Sequence, residues 1–315
     1  MLAALALLLT AAPVAKHAWS APSHELMEEG WARGEPGEWK TTSLDIDGVA
    51  VRVLLEKDKA PKVSDDQLIE WVATRAKAVA VYYGKFPVPD LVLRIERDSG
   101  GGVGSGVTYQ GRRIRIDIGR ETSVQELADD WVLVHEFFHL GFPDLDDDYL
   151  YLEEGLSTYL EPIARTRAGL LPASETWRSY VDGLPKGMPR PGDRGLDVTH
   201  NWGNTYWGGC RFWLLADLEI REKTHNTKSL DDAIRALVAE GGTGQEHWSL
   251  EKVIEVGDKA TGTTVLRDLH GQMGGRPVRT DLDALWKKLG VREAGEEIVF
   301  DDDAPKAALR KSIAK

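Results

Sequence analysis

Two histidines stand four residues apart in the stretch LVHEFFHLGF (133–142), with a glutamate directly after the first. Residues four apart on an α-helix lie on one face, so His135 and His139 can direct two imidazole nitrogens at one metal ion. Glu136 is rotated by roughly 100° about the helix axis and cannot easily join that coordination. It can instead approach a water beside the ion, which is where a general base must stand. This HExxH spacing predicts a zinc site with hydrolytic chemistry.

A catalytic zinc site needs a third protein ligand. Zinc peptidases that take a third histidine soon after the motif carry glycine and histidine where this chain has Phe142 and Leu145, so that arrangement is excluded. The next predicted helix supplies Glu153 and Glu154 after a tight acidic turn. If the two helices run antiparallel, at about 1.5 Å rise per residue, Glu154 comes level with the histidine pair. Helical periodicity alone does not choose between the two glutamates.

The elements that must position these residues follow from hydrophobic periodicity and capping signals. Strands are predicted at 49–55, 91–96 and 113–118, and a helix begins after the capping box at Ser64. The strictly alternating stretch 113–118 is expected to be a half-exposed or edge strand, and the glycine-rich stretch 97–107 before it a flexible connection. Ser123 and Glu126 form a second capping box, predicted to open the helix that carries His135.

The pattern becomes almost entirely helical from Tyr149 onwards. Helices are predicted at 149–169, 204–222, 229–240, 249–256, 263–272 and 281–289. The predicted fold class is therefore α+β, with a mixed α/β lobe that includes an edge strand, followed by a helical lobe across a cleft. The expected division is a leader at 1–20, the α/β lobe with the HExxH helix at 21–143, and the helical lobe with the third ligand at 144–315.

Two further stretches resemble a known family. LYLEEGLSTYLE (150–161) resembles the second signature of the gluzincin metallopeptidases, and HEFFH is typical of their glycyl-aminopeptidase family. The stretch TYWGGCRFWLLADLEIREKTHNTKSLDDAIRAL (205–237) is similar to a helix pair of the same family, so the resemblance spans roughly residues 120 to 290. It implies a thermolysin-like, two-lobed zinc peptidase, represented here by its catalytic core without a PDZ domain.

The resemblance assigns roles to individual residues. The family's ligand is the glutamate immediately before the glycine, which implies Glu154 rather than Glu153 as the third ligand. The family's oxyanion-binding tyrosine falls on Tyr206, and a phenol can stabilise negative charge without titrating near neutral pH. The alternative for Tyr206 is an aromatic side chain packed among neighbouring tryptophans. His200 is a candidate second donor or substrate contact.

One departure from the family leaves the type of peptidase open. Relatives that act as aminopeptidases hold the substrate's free amine with a glutamate in or beside a glycine-rich stretch, but GGGVGSGVTY (100–109) has no acidic residue. Aminopeptidase and endopeptidase activity therefore both remain open. The glycines are predicted to form a turn beside an edge strand on which an extended peptide could dock by backbone pairing.

Composition restricts partners and location. A formal charge of −12 over 315 residues disfavours nucleic-acid binding, and Cys210 is the only cysteine, so a metal must be held by His, Asp or Glu. The apolar run at 2–12 is too short to span a bilayer and suits a secretory signal, although it has no basic residues before it. We expect an exported protein, periplasmic or secreted, without a membrane span, or a cytoplasmic one if the leader does not function as a signal.

These observations favour a zinc-dependent peptidase acting on a peptide or protein substrate. One Zn²⁺ per chain would be held by His135, His139 and Glu154, with Glu136 as general base and Tyr206 at the oxyanion. One alternative is a non-catalytic, peptide-binding zinc protein on a peptidase scaffold, although a structural site would not need Glu136. The other is a zinc hydrolase of non-peptide amides or esters, which would use the same site.

Overall fold

The computed structural model of the chain describes residues 39–57 and 62–315. The predicted leader at 1–20 lies outside the described residues, so its role as a signal stays a prediction. Across the ranges that are described, none of the helices combines the length and the apolar character needed to cross a membrane.

A mixed, five-stranded β-sheet forms the first part of the described chain. Its strands are β1 (Trp39–Ile46), β2 (Val49–Glu56), β3 (Asp90–Asp98), β4 (Val103–Tyr109) and β5 (Arg113–Gly119). Their spatial order is β1-β2-β3-β5-β4, with β2, β3 and β5 parallel and the two outer strands antiparallel to their neighbours. The strands predicted at 49–55, 91–96 and 113–118 are confirmed as β2, β3 and β5, whereas β1 was not predicted.

The stretch 113–118 was predicted to be a half-exposed or an edge strand: β5 is half-exposed on one face, but it does not lie at an edge of the sheet. β5 is paired on both sides. Of the glycine-rich stretch expected to be a flexible connection or turn, residues 99–102 connect β3 to β4, whereas residues 103–107 belong to the edge strand β4. The alternation in β5 reflects its two faces: Ile114, Ile116 and Ile118 are fully buried on one, while the other carries charged side chains. Alternation of apolar and polar residues shows which face of a strand is buried. It does not show whether another strand pairs with each edge, so the sequence could not place β5 within the sheet.

Helices make up most of the remaining chain. They are α1 (Asp65–Tyr83), α2 (Val124–Asp129), α3 (Val132–His139), α4 (Leu150–Arg167), α5 (Ala173–Gly183), α6 (Gly209–Lys223), α7 (Leu230–Ala239), α8 (Leu250–Thr261), α9 (Val265–Met273), α10 (Leu282–Leu289) and α11 (Ala307–Ile313). The predicted helices are confirmed, with ends that differ by a few residues. Helices α5 and α11 and a hairpin of β6 (Val291–Ala294) and β7 (Glu297–Phe300) were not predicted. The described fold is therefore α+β.

The capping box at Ser123 opens the short helix α2 and not the histidine helix, which corrects the prediction. The chain leaves the helical conformation at Asp130 and starts again as α3. The Asp130 carboxylate accepts hydrogen bonds from the backbone N–H groups of Val132 at 2.8 Å and Leu133 at 3.3 Å. Because the first N–H groups of a helix lack partners within the helix, this aspartate sets where α3 begins.

Two phenylalanines between the histidines hold α3 in the core. Phe137 and Phe138 are both fully buried. Phe137 meets Phe86 edge to face with ring centroids 5.6 Å apart, and Phe138 meets Tyr82 in the same manner at 5.3 Å. Burial of such aromatic rings stabilises the fold by several kcal/mol in total, about 1.5–3 kcal/mol each. The apolar side of α3 is thus fixed, which leaves the imidazoles to face α4.

A backbone contact between two glycines brings α4 and α6 together. A Cβ on Gly155 would lie 2.3 Å from the Gly209 backbone, and one on Gly209 would lie 1.9 Å from the carbonyl oxygen of Tyr151. Only glycine permits this approach. Gly155 directly follows Glu154, so the contact also determines how Glu154 sits relative to the residues before α6.

We expect Gly155→Ala to lower the free energy of unfolding by about 2 kcal/mol, because the added methyl group meets backbone that cannot yield. The matched control is Gly271→Ala in α9, where nothing lies within 4 Å of the added carbon. Alanine favours helix there, so this control is expected to be neutral or stabilising by up to about 1 kcal/mol. Urea denaturation measures both, and equal changes in the two variants would contradict the role given to Gly155.

Candidate metal centre

The side chains of His135, His139 and Glu154 converge between α3 and α4. His135 Nε2 lies 3.0 Å from Glu154 Oε2, and His139 Nε2 lies 3.6 Å from the same oxygen. The centroids of the two imidazole rings are 5.1 Å apart. Two nitrogens and one carboxylate oxygen therefore face a common point, although they come from two helices.

Glu153, the alternative third ligand, contacts a different part of the chain. Its Oε1 accepts a hydrogen bond from the backbone N–H of Leu145 at 3.1 Å, which holds the loop between α3 and α4. Burial raises the pKa of Glu153 to about 8. The structure thus brings Glu154, and not Glu153, to the two histidines.

The charges of His139 and Glu154 depend on each other. Burial lowers the pKa of His139, but the adjacent Glu154 carboxylate outweighs burial and raises that pKa to about 9. Burial raises the pKa of Glu154, while His139 and His135 together hold it well below its usual range. The carboxylate is therefore ionised and stabilised by positive charge beside it, which a bound cation would supply equally.

The donor set fits a zinc ion. Two imidazole nitrogens and a carboxylate oxygen form one of the known three-ligand sets of catalytic zinc sites. Donors about 2.0–2.1 Å from one tetrahedral ion lie roughly 3.3 Å from each other, and the two distances to Glu154, 3.0 and 3.6 Å, lie on either side of that value. Within the described residues, His135, Glu136 and His139 also form a group whose possible ligand atoms all lie within 4.8 Å of one another.

Glu136 lies between the histidines and the edge strand β4. Its Oε2 accepts a hydrogen bond from Thr108 Oγ1 at 2.7 Å, and the same hydroxyl lies 3.1 Å from the Glu136 carbonyl oxygen. A Cβ on Gly106 would lie only 2.5 Å from Glu136 Cγ and 2.9 Å from Oε1. Thr108 therefore orients one carboxylate oxygen, and Gly106 leaves room for the other.

Sequence reasoning did not identify Thr108 or Gly106 as site residues. The available signal was their spacing, because residues two apart on a strand face the same side. A small residue and a hydroxyl on one face of an edge strand are compatible with many roles, however. Only the packing of β4 against α3 shows that this face meets Glu136.

Tyr206 lies in a π-helical segment, Gly203–Gly208, that continues into α6. Its ring stacks on His135, with centroids 5.9 Å apart and 19° between the planes, and on Trp202 at 6.1 Å and 28°. Burial raises the pKa of Tyr206 above its ordinary value, and the nearby Glu154 carboxylate adds to that effect. The phenol therefore stays protonated at neutral pH and can donate a hydrogen bond. Short π-helical insertions are frequent at functional sites because they redirect a side chain.

His200 contacts residues outside this cluster. Its Nε2 lies 2.9 Å from the carbonyl oxygen of Asp197 and 3.9 Å from a carboxylate oxygen of Asp148, and nearly half of its side chain is exposed. Those contacts tie it to the segment before the π-helix and to the loop before α4. His200 is therefore not among the residues brought together around His135 and His139.

The fold of this chain is similar to that of several solved structures. The aminopeptidase N family protein from Idiomarina loihiensis superposes with a TM-score of 0.64 over 81% of this chain and 50% of that protein, at 14% identity. The M1 zinc metallopeptidase from Deinococcus radiodurans gives a TM-score of 0.54 over 78% of this chain and 54% of its own, also at 14% identity. No protein-family model and no curated protein matches the sequence.

A third structure is the E323A mutant of the M1 zinc metallopeptidase from Deinococcus radiodurans bound to a Tyr-Ser-Ala substrate, with a TM-score of 0.52 at 13% identity. It is matched over 77% of this chain and 53% of its own. At such identities the likeness is one of fold. The chain shares its fold with these proteins and spans about half of their length.

Proposed function

We propose that this protein is a zinc-dependent peptidase. The observation that carries the proposal is the convergence of His135 Nε2, His139 Nε2 and one oxygen of Glu154 beside Glu136, within a fold shared with M1 zinc metallopeptidases. The metal would be a single Zn²⁺ held by those three side chains. Retention of a positioned carboxylate at Glu136 favours catalysis over a purely structural site.

The proposal includes a thermolysin-like, two-lobed arrangement. Residues 21–143 would form the lobe that carries the sheet and α3, and residues 144–315 the helical lobe that carries α4. The positions of the metal ligands support this arrangement. The two histidines lie on α3 and Glu154 lies on the facing helix α4, where the two proposed lobes meet. A substrate would lie along this junction, with its backbone paired to the edge strand β4.

Zn²⁺, when bound, supplies a Lewis acid that polarises the scissile carbonyl and lowers the pKa of a water molecule towards neutrality. Glu136 accepts a proton as that water's oxygen bonds to the carbonyl carbon, and Thr108 holds the carboxylate in position for this transfer. The C–N bond then breaks, and Glu136 returns the proton to the leaving amine. Tyr206 donates a hydrogen bond to the carbonyl oxygen while it carries negative charge.

Peptide cleavage by the full chain tests the proposal directly. We expect added zinc to support hydrolysis of a defined peptide mixture and a chelator to abolish it, with mass spectrometry of the products distinguishing amino-terminal from internal cleavage. A parallel panel of ester and non-peptide amide substrates separates a peptidase from another zinc hydrolase. Zinc binding without hydrolysis of any of these compounds would favour the non-catalytic alternative.

Tyr206→Phe is expected to lower kcat about 100-fold, because it removes a donor that acts mainly in the transition state. Zinc content and the free energy of unfolding should change little, since only the hydroxyl is lost. Tyr149→Phe is a suitable control, because Tyr149 is half-buried nearby and packs on His270 instead of the site. Steady-state kinetics of both variants, combined with metal analysis, measure the difference, and a fully active Tyr206→Phe would remove Tyr206 from the mechanism.

Gly106→Ala is expected to lower kcat by roughly 10- to 100-fold while zinc stays bound, because the new methyl group displaces the Glu136 carboxylate. Gly104→Ala on the same strand is the matched control. An added carbon there lies 3.4 Å from its nearest neighbour, the carbonyl oxygen of Asp117, so little needs to move. If both variants retain full activity, Glu136 does not require the space that Gly106 provides.

A further inference from the structure

A cavity of about 840 Å³ adjoins the metal centre along α4. Tyr206 and Thr158 line it, and Thr158 lies one helical turn beyond Glu154. Trp131, which also lines it, lies one turn before His135. A substrate held at the metal centre therefore has this cavity next to its reacting bond. Its volume falls within the range of about 300–1,000 Å³ typical of ligand pockets, which is ample for a large side chain.

Four aromatic side chains line the cavity: Trp131, Trp202, Tyr206 and Trp207. Trp131 and Trp202 are 51% and 47% exposed, and both belong to the small set of large apolar side chains exposed in the described chain. Trp131 meets His135 edge to face at 5.7 Å, and Trp202 stacks on Tyr206. Two exposed indoles in the lining of one cavity, each in contact with a site residue, indicate a surface that a ligand covers.

Glu161 and Arg165 form a buried ion pair in the lining, which also includes the charged residues Asp129, Glu175 and Lys186. Glu161 and Arg165 are 7% and 6% exposed, with Arg165 Nη1 2.7 Å from Glu161 Oε1. Arg165 Nη2 also donates to the carbonyl oxygen of Asp129 at 3.2 Å. Because Glu161 and Arg165 compensate each other, a charged ligand group buried against this pair would lose its hydration without gaining an opposite charge from it. An uncharged group with a hydrogen-bond donor can instead use the Glu161 carboxylate, which has several acceptor sites.

We propose that the cavity binds an aromatic side chain of the substrate next to the scissile bond, with tyrosine preferred over alanine, lysine and aspartate. The indole walls stack on the ring, and Glu161 accepts a hydrogen bond from its polar tip. The proposal rests on the proposed function for the reaction, but binding to the cavity is measurable without catalysis.

The kinetic test uses peptides that differ only in the residues flanking the cleaved bond. For the zinc-loaded wild type, kcat/KM should be at least about tenfold higher with tyrosine at one flanking position than with alanine, lysine or aspartate there. Ser179→Phe fills part of the cavity from α5 and should abolish this preference while leaving the alanine peptide nearly unaffected. The matched control is Ser312→Phe on α11, a half-buried helical serine that contacts Asn226, which should change neither rate. Equal rates for all wild-type substrates, or a uniform loss in Ser179→Phe, would overturn the proposal.

A binding test separates failure of this proposal from failure of the proposed function. N-acetyl-tyrosinamide should bind the wild type about tenfold more tightly than N-acetyl-alaninamide or N-acetyl-lysinamide in equilibrium dialysis, and Ser179→Phe should remove that difference. If no peptide is cleaved but this selective binding is seen, the peptidase proposal fails and the aromatic site stands. Without selective binding the aromatic site is rejected, whatever the enzyme cleaves. Leu171→Trp, from the loop before α5, repeats the test should Ser179→Phe fail to fold.

Discussion

Replacement of Glu136 by glutamine is expected to reduce kcat for peptide cleavage by about 10³-fold or more while zinc remains bound. The amide has nearly the shape of the carboxylate and can still accept the hydrogen bond from Thr108, so the surrounding structure should persist. It cannot take a proton from water at neutral pH, and general acid–base catalysis contributes about 10²–10⁴-fold. Single-turnover kinetics and metal analysis on the same preparation measure the two quantities.

Glu153→Gln is the control for this experiment. Glu153 is also a glutamate close to the metal centre, but it binds the backbone N–H of Leu145, and glutamine can accept that hydrogen bond equally well. We expect its kcat to stay within a few-fold of the wild type. If Glu136→Gln cleaves peptides as fast as Glu153→Gln, then Glu136 is not the base and the mechanism is wrong.

The second large effect is expected from Glu154→Ala, which should weaken zinc binding by more than about 100-fold. Loss of an outer-shell partner already costs about 10- to 100-fold in metal affinity, and here a direct ligand is removed. The two histidines would remain, but two donors hold the ion much less tightly than three. Competition with a chromophoric chelator measures the affinity, and hydrolysis should fall together with zinc content.

Glu153→Ala provides the matched comparison, because it shortens the adjacent residue and leaves the donor set intact. Its zinc affinity should match that of the wild type, although the loop before α4 loses a hydrogen bond. The opposite result, with zinc lost from Glu153→Ala and kept by Glu154→Ala, would reverse the assignment of the third ligand. Equal affinity in both variants would mean that neither glutamate binds the metal.

The sequence alone predicted where these residues lie within a single helix or strand. The histidine spacing, the capping residues and the β-branched runs at 49–55, 91–96 and 113–118 depend on contacts within a few residues, so their periodicity is visible in one dimension. The HExxH helix, the parallel strands and the run of helices after Tyr149 could all be predicted for that reason. The family resemblance at 150–161 predicted Glu154 as the third ligand, because this glutamate directly precedes a glycine.

Tertiary structure decided how those elements meet. Glu154 and Glu153 are both off the centre of the apolar stripe of α4. Which of them reaches the histidines depends on how α4 packs, including the Gly155–Gly209 backbone contact with α6. The support of Glu136 by Thr108 likewise depends on β4 lying at the sheet edge against α3.

The aromatic cavity beside the metal centre joins residues from α2, α4, α5 and the π-helical segment, which are far apart in the chain. Periodicity reports only the neighbours of a residue along its own helix or strand. Contacts between distant segments are selected by the shape and volume of the packed core, so they become readable only once the chain is folded.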